Sequence, residues 1–380
     1  MDFKVVRFQD VPNELWDKWV FSIKESSYLH SSKFLNFLHK MVMPENCLTF
    51  ALIQNEDNPI ALCPFGLSKN SVNGMDFYEA SWHGAPLGAP AFRDEVKPNL
   101  RMKMQREVFE YYGQLLKKHG AKRCYLRSHP VTLNVLSNSR MPTMLQLSIL
   151  QEGYECHPQN TLMIDLANSE ETLLFHLSKY QKKHIRKSNK DGLLFVEYDG
   201  QNSDLEKIFY KYQDAHIKSA GHMTRPQSTF DLMLELIKDG FASMFAVFAE
   251  GIPISFLYCG EFNDFAFGWS QVNLDEFEKR YSPRHFLEWS AIMAYKRRKF
   301  RYYEVGTVWF GPQLYKIPSK KELSISEFKR RYGGVFMPEI FFEKIYDKEL
   351  WSHIHQHRYD QFLQSEYFNE FSEIKNEEAV

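Results

Sequence analysis

Phe50-Ala51-Leu52-Ile53, followed by Asn58-Pro59-Ile60-Ala61, and, about 195 residues later, Phe245-Ala246-Val247-Phe248, followed by Gly251-Ile252-Pro253-Ile254-Ser255, are one device written twice. Each reads as strand, tight turn, strand, with turn-forming residues and then a Pro-Ile step where the second strand begins. Each hairpin leads into more strand-like sequence, Phe77-Tyr78-Glu79-Ala80 in the first case and Phe265-Ala266-Phe267-Gly268-Trp269 in the second. A helix is expected next, over roughly 98–119 and 283–298, ending in basic residues and running into Arg123-Cys124-Tyr125-Leu126-Arg127 or Tyr302-Tyr303-Glu304-Val305-Gly306. Two copies are too few for a solenoid and predict tandem domains. The boundary is expected near 150–160, where Gly153, Pro158 and Asn160 separate the halves. The polar stretch from about 346 reads as one helix that frays at Asn376-Glu377-Glu378.

At 380 residues the chain accommodates two domains of ordinary size. Aromatic residues make up 16%, with 32 Phe and 20 Tyr, which predicts thick cores. Formal charge is −1 from 47 basic and 48 acidic residues, so any nucleic-acid contact must come from a local patch. Cys47, Cys63, Cys124, Cys156 and Cys259 are scattered without a Cys-x-x-Cys pair and read as reduced thiols of a cytoplasmic protein. Met1-Asp2-Phe3-Lys4 begins a strand-like run and not a leader, and no apolar stretch is long enough to span a membrane. His353, His355 and His357 alternate, so only the outer two share a helix face and no metal site is expected.

The strongest local signal lies at 168–190. One helix is expected there, with Asn168 capping and Glu171 returning the bond. At ~100° per residue Leu173, Leu174, Leu177 and Ile185 fall on one side. Lys179, Lys182, Lys183, Arg186, Lys187 and Lys190 fall on the other, with no acid before Asp191. Such a face is either solvated or answered by an anionic, phosphate-rich ligand. Tyr281-Ser282-Pro283, flanked by Arg280 and Arg284, predicts a sharp helix start with Ser282 as N-cap and Pro283 in the first turn. Phe328-Lys329-Arg330-Arg331-Tyr332-Gly333-Gly334 predicts a short helix stopped by a left-handed glycine.

The order hairpin, strand, helix, strand is similar to the core of the N-acetyltransferase (GNAT) fold. Coenzyme A-dependent members carry a Gln/Arg-x-x-Gly-x-Gly/Ala loop before the helix, whose backbone N–H groups hold the pyrophosphate. Here Glu278-Lys279-Arg280-Tyr281-Ser282-Pro283 stands in that place without glycine. Four stretches resemble the Fem-type aminoacyltransferases and their FemAB-like relatives: Tyr78 to Leu87, Asp165 to Gly192, Tyr281 through Leu287-Glu288-Trp289 to Gly306, and Phe328 to Gly334. The glycine loop is missing from that family too. Some of its members carry a long coiled-coil arm, and no heptad run of that length is present here.

The resemblance implies an α/β protein with mixed sheets and two tandem GNAT-like domains. They are expected at 1–155 and 160–345, with the groove in the second, followed by a C-terminal helix and tail at 346–380. It implies transfer of an aminoacyl or acyl group onto an amine of a cell-envelope or surface-polysaccharide precursor. The donor substrate is an aminoacyl-tRNA or an acyl-coenzyme A, with no bound cofactor. Lys329 is expected to neutralise charge on the donor or leaving group, and Glu304 is the candidate proton acceptor. Lys182, Lys183, Arg186 and Lys187 would hold acceptor phosphates, while Arg280, Tyr281, Arg284 and Trp269 line the groove. An acyl-coenzyme A-dependent N-acyltransferase acting on an amino sugar and a non-catalytic module binding RNA or an anionic glycan are the competing readings.

Overall fold

A computed structural model of the chain describes residues 3–40, 46–55, 58–93, 98–137, 149–313 and 315–368. The expected fraying of the tail at Asn376 to Glu378 lies outside them. The first half contains β1 (Lys4–Arg7), α1 (Asn13–Ser22), α2 (Ser32–His39), β2 (Phe50–Asn55), β3 (Asn58–Cys63), β4 (Leu67–Val72), β5 (Met75–Ala80), β6 (Leu87–Gly88), β7 (Ala91–Phe92), α3 (Pro98–Lys118), β8 (Ala121–Ser128) and α4 (Leu133–Leu136). The second contains β9 (Glu155–Asp165), α5 (Glu170–His176), α6 (Lys179–Lys190), β10 (Leu194–Tyr198), α7 (Leu205–Ala220), α8 (Gln227–Lys238), β11 (Ala242–Ala249), β12 (Ile252–Phe262) and β13 (Phe265–Asn273). It continues through α9 (Asp275–Tyr281), α10 (Pro283–Arg297), β14 (Tyr302–Val308), α11 (Lys320–Arg330), β15 (Val335–Ile345) and α12 (Lys348–Leu363).

The two Pro-Ile hairpins bulge alike but lie in different sheets: β2 and β3 in a four-stranded sheet, β1-β2-β3-β7, and β11 and β12 in the large one. The register of β2 on β3 slips beside Ile53, whose partner is Pro59, and that of β11 on β12 slips at Phe248, whose partner is Pro253. Proline has no N–H to give a ladder, so in a sheet it belongs at an edge or a bulge. Both hairpins then feed a parallel pair closed by a crossover helix: β5 on β8 after α3, and β13 on β14 after α10.

The halves are joined by strand exchange. The large sheet runs β10-β11-β12-β13-β14-β9-β15-β8-β5-β4. The strand that follows the first half, β9, pairs with β14, and the strand that follows the second, β15, pairs with β8. β9 and β15 pair with each other between them, so the expected division at 155–160 falls where β9 begins. The strand at 335–345, placed by sequence with the second domain, completes the ladder of the first. Alternation along β11 and β12 feeds two cores. Met244, Ala246, Phe256 and Tyr258 face a core shared with the first half, while Phe245, Val247, Leu257 and Cys259 face one covered by α6 and α10.

The expected helix over 168–190 is two helices. Leu177 takes an extended backbone, Ser178 caps α6 by accepting from Gln181 N at 3.1 Å, and Ser178 N donates to Arg331 O. Ser169, not Asn168, caps α5; the Asn168 amide turns back to Asp165 O. Ser282 likewise does not cap with its side chain. It adopts a left-handed conformation (φ 49°) that joins α9 directly to α10. Gly333 and Gly334 hold positive φ for the expected reason and for a second: a Cβ on Gly333 would lie 2.7 Å from His176 Cβ, and one on Gly334 2.5 Å from Met163 O.

Candidate active site

The parallel strands β13 and β14 pair only from Phe265, Ala266 and Phe267 to Tyr302, Tyr303 and Glu304. Beyond that they diverge, helped by a register slip that leaves Trp269 unmatched between Gly268 and Ser270. A cavity of about 700 Å³ opens in the fork, floored by Gly268 to Asn273 and Val305 and walled by the start of α10 and by α11. Pro283 in the first turn sets the phase of α10. Arg284, His285 and Glu288 then share the face that lines the cavity, three and four residues apart.

Glu288 is buried, and its Oε1 accepts from Tyr303 OH at 2.7 Å. Burial raises its carboxyl to about 7, against the Tyr303 hydrogen bond and the charge of Lys329, which both lower it. Lys329 enters from α11 and donates from Nζ to Thr307 O at 3.1 Å. Burial lowers its ammonium while Glu288 and Glu304 hold it up. The approach requires Gly306, at φ +103°, where a Cβ would stand 2.8 Å from Lys329 Nζ.

At the mouth, His285 stacks on His184 at 4.5 Å, and Tyr180 lies 4.3 Å from His184. Burial and the neighbouring His184, Arg284 and Arg331 push His285 down to about 3, so it is a neutral imidazole. Arg331 lies over the Tyr180 ring, and Arg284 over Phe328. Asp275, Glu278, Glu288 and Glu327 balance Arg284, Lys321, Lys329 and Arg331 around the wall, so its charge is mixed.

Of the residues singled out by sequence, Lys329, Arg284 and Trp269 line this cavity. Trp269 also packs against Phe37 of the first half, with centroids 4.5 Å apart. Glu304 does not line it. Strand alternation points Glu304 away from Tyr303, toward the junction of the halves, where it accepts from His129 Nε2 at 3.1 Å and Thr161 Oγ1 at 2.5 Å. Arg280 and Tyr281 do not line this cavity: both side chains are tied to Glu250, and the tyrosine ring is buried. Lys182, Lys183, Arg186 and Lys187 stay outside the cavity wall. Lys182 donates to Phe175 O, and Lys187 to Asp191 and Arg280 O.

Glu288, Tyr303 and His285 were the residues sequence reasoning did not select. Glu288 carried a signal: a carboxylate between Phe286-Leu287 and Trp289 on a buried helix needs a partner or a task. Outside the cavity, Glu155, His157 and Glu343 bring ligand atoms within 4.8 Å of one another. Glu343 is already answered there by the His157 hydrogen bond, by Arg123 at 2.6 Å and by Arg358 at 2.8 Å, which hold its carboxyl far below the usual range against burial. Of the alternating histidines, His353 reaches Val72 O and His355 faces Glu155. Among the described residues no helix is long and apolar enough to cross a membrane.

Residues 177–317 match the acetyltransferase (GNAT) domain model, so that segment is a GNAT-type acyltransferase domain, and most of the cavity's lining falls within it. Among solved structures the chain is similar to FemX, with 13% identity and a TM-score of 0.63 over 93% of this chain and 100% of that one. It is also similar to L-PGS from Bacillus licheniformis, with 12% identity and a TM-score of 0.55 over 92% and 96%. A tandem GNAT protein from the clavulanic acid biosynthesis pathway gives 9% identity and a TM-score of 0.50 over 91% and 99%. At these identities the likeness is one of fold: two GNAT units in tandem. No match was found among curated protein sequences.

Proposed function

We propose that the chain, through the cavity formed by its GNAT-type domain at 177–317 and α11, transfers an aminoacyl group from an aminoacyl-tRNA onto an amine of a phosphate-bearing cell-envelope or surface-polysaccharide precursor, with Glu288 as general base and Lys329 as the oxyanion's counter-charge. The observation that carries this reading is one fork holding a carboxyl near neutrality and a half-buried ammonium. An activated ester needs orientation and charge stabilisation more than a covalent nucleophile. Cys259, whose thiol lies 3.9 Å from Tyr303 OH, is buried and pushed up, which suits packing better than attack.

In the reaction the acceptor amine attacks the ester carbonyl and Glu288 takes the amine's proton. Lys329 stabilises the developing oxyanion. Collapse of the intermediate expels the donor hydroxyl, which takes the proton back from Glu288. The mixed charge of the wall and the absence of a glycine loop favour an aminoacyl ester over the three phosphates of an acyl-coenzyme A. Product mass spectrometry with charged tRNA or acyl-coenzyme A, against a panel of amino-sugar nucleotides, separates the two donors. Glu288→Gln is expected to lower kcat by ~10²–10⁴-fold and to remove the rise of kcat/KM toward pH about 7. Wild-type turnover in this variant would defeat the assignment.

A further inference from the structure

The inner strand of the open fork is bare at its base. Gly268 of β13 lies one step past the last parallel pair, Phe267 with Glu304, so the register carried forward sets it beside Val305. Its partner on β12 is Cys259, which with Leu257, Tyr303 and Val305 belongs to the core on the α10 side of the sheet. A side chain at 268 would point to that same side. Its Cβ would lie 3.3 Å from Tyr303 OH, 3.6 Å from Glu304 O and 3.9 Å from Leu257 Cδ1. Tyr303 OH in turn donates to Glu288 Oε1 at 2.7 Å, so position 268 is one hydroxyl away from the carboxyl near neutrality.

The backbone does not require glycine here. Gly306 across the fork has a positive φ and makes way for Lys329, whereas Gly268 lies outside the left-handed region. Nor is its space filled from within. At Gly66 and Gly260 an aromatic ring carbon stands 2.1 and 2.3 Å from the Cβ position, but at Gly268 the nearest atom is the Tyr303 hydroxyl. The register slip that follows is built on Trp269, not on the glycine. A glycine inside a strand weakens it, and one that lines a cavity marks where a ligand comes close to the backbone. We propose that Gly268, Leu257 and Val305 seat the side chain of the transferred group and select a small, uncharged one. This assignment rests on acyl transfer taking place in the fork.

The reacting carbonyl has to stand between the ammonium of Lys329 and an amine held by Glu288. The substituent it carries then falls on the floor between the strands, where Gly268, Leu257 and Val305 all line the cavity. Leu257 and Val305 offer only carbon, so a charged side chain would lose its water there and gain no partner. A long one would press on Tyr303 and move the amine off Glu288. The acceptor, with its phosphates and hydroxyls, suits the polar wall of Ser219, Asn273, Asp275 and Lys321 instead.

Wild type, Gly268→Ala and Val305→Ala are to be assayed with alanyl, leucyl and lysyl groups carried on one tRNA. Acetyl and pentanoyl thioesters replace them if acyl-coenzyme A proves to be the donor. The readout is kcat/KM for the larger group divided by kcat/KM for the smaller. One carbon in an apolar pocket is worth about tenfold or more, so wild type should favour alanyl over leucyl by on the order of 10²-fold. Gly268→Ala crowds Tyr303 and slows every donor, which leaves the ratio as the test. That ratio should fall about tenfold further in Gly268→Ala and rise about tenfold in Val305→Ala. Lysyl should be a poorer donor than leucyl. An unchanged ratio in both folded variants, a change confined to KM of the acceptor, or a wild type that prefers leucyl or lysyl to alanyl would each overturn the seat and leave acyl transfer standing. A wild type that transfers from neither donor series would overturn acyl transfer itself, and the seat with it.

Discussion

The two forks of this molecule start from the same strands and end in opposite states. In the first half Tyr78, Glu79 and Ala80 pair with β8, and the chain then turns at Trp82 and Ala85 and comes back. Leu87 and Gly88 re-pair with Leu126 and Arg127, so the fork is zipped shut. Trp82 is buried in the closure, against Gly66, where a Cβ would stand 2.1 Å from the indole. The carboxylate of this half, Glu79, is neutralised by Arg123 at 3.0 Å and hydrogen-bonded by Ser81 and Asn70. In the second half the chain leaves β13 for α9, and among the described residues nothing re-pairs with the far end of β14 on the side that faces β13. Glu288 there has a phenol for a partner and a lysine acting through space, and it stays near neutrality. One strand pattern therefore yields either packing or a reaction chamber, and the loop that follows the inner strand decides which.

The largest effect that tests this contrast lies in the closed fork. Trp82→Ala should lower stability by ~3–5 kcal/mol in denaturant unfolding while leaving kcat of the folded fraction unchanged. A fall in kcat at intact stability would show the closed fork to be functional. Next comes the open fork. Lys329→Met should lower kcat by ~10²-fold or more, since it removes a preorganised charge and keeps the apolar stem. Lys329→Arg should also be impaired, because a planar guanidinium cannot occupy the same point beside Gly306. Wild-type kcat and KM in a folded Lys329→Met protein would remove the lysine from the mechanism.

Gly306→Ala sharpens the comparison further. The strained φ should cost about 1–3 kcal/mol, and displacement of Lys329 Nζ should lower kcat about tenfold, read by unfolding and steady-state kinetics on the same preparation. The smallest effect is a pH dependence of stability. The folded carboxyl of Glu288, at about 7, lies above its ordinary 4.5, so the native state holds the extra proton between those values. Its contribution is full below the lower value and is lost as pH rises through the upper one. Between pH about 5 and 8 the wild type should therefore lose roughly 1–3 kcal/mol that Glu288→Gln retains. Parallel unfolding curves for the two proteins would show that Glu288 titrates normally.

Short-range physics was legible in the amino acids themselves. Pro59 and Pro253 marked where the second strand of each hairpin begins, and because proline has no N–H the ladder slips beside both. Pro283 started α10, and Gly333 ended the turn that positions Lys329. The tandem architecture followed from such local signs, whereas Lys329 was singled out by the likeness of Phe328 to Gly334 to the Fem-type pattern. The break at Leu177 and Ser178 did not, because it is held by a bond to Arg331 from another element. Strand exchange was equally hidden: nothing within β15 records that its partner is β8 of the other half. The choice between Glu288 and Glu304 was a tertiary matter too. Both are buried carboxylates, and they differ in what faces them: His129 and Thr161 hold one ionised, while burial keeps the other near neutrality against the pull of Tyr303 and Lys329. Periodicity and capping act over a few residues and can be read along the chain, whereas charge, pairing and protonation depend on neighbours that only folding brings together.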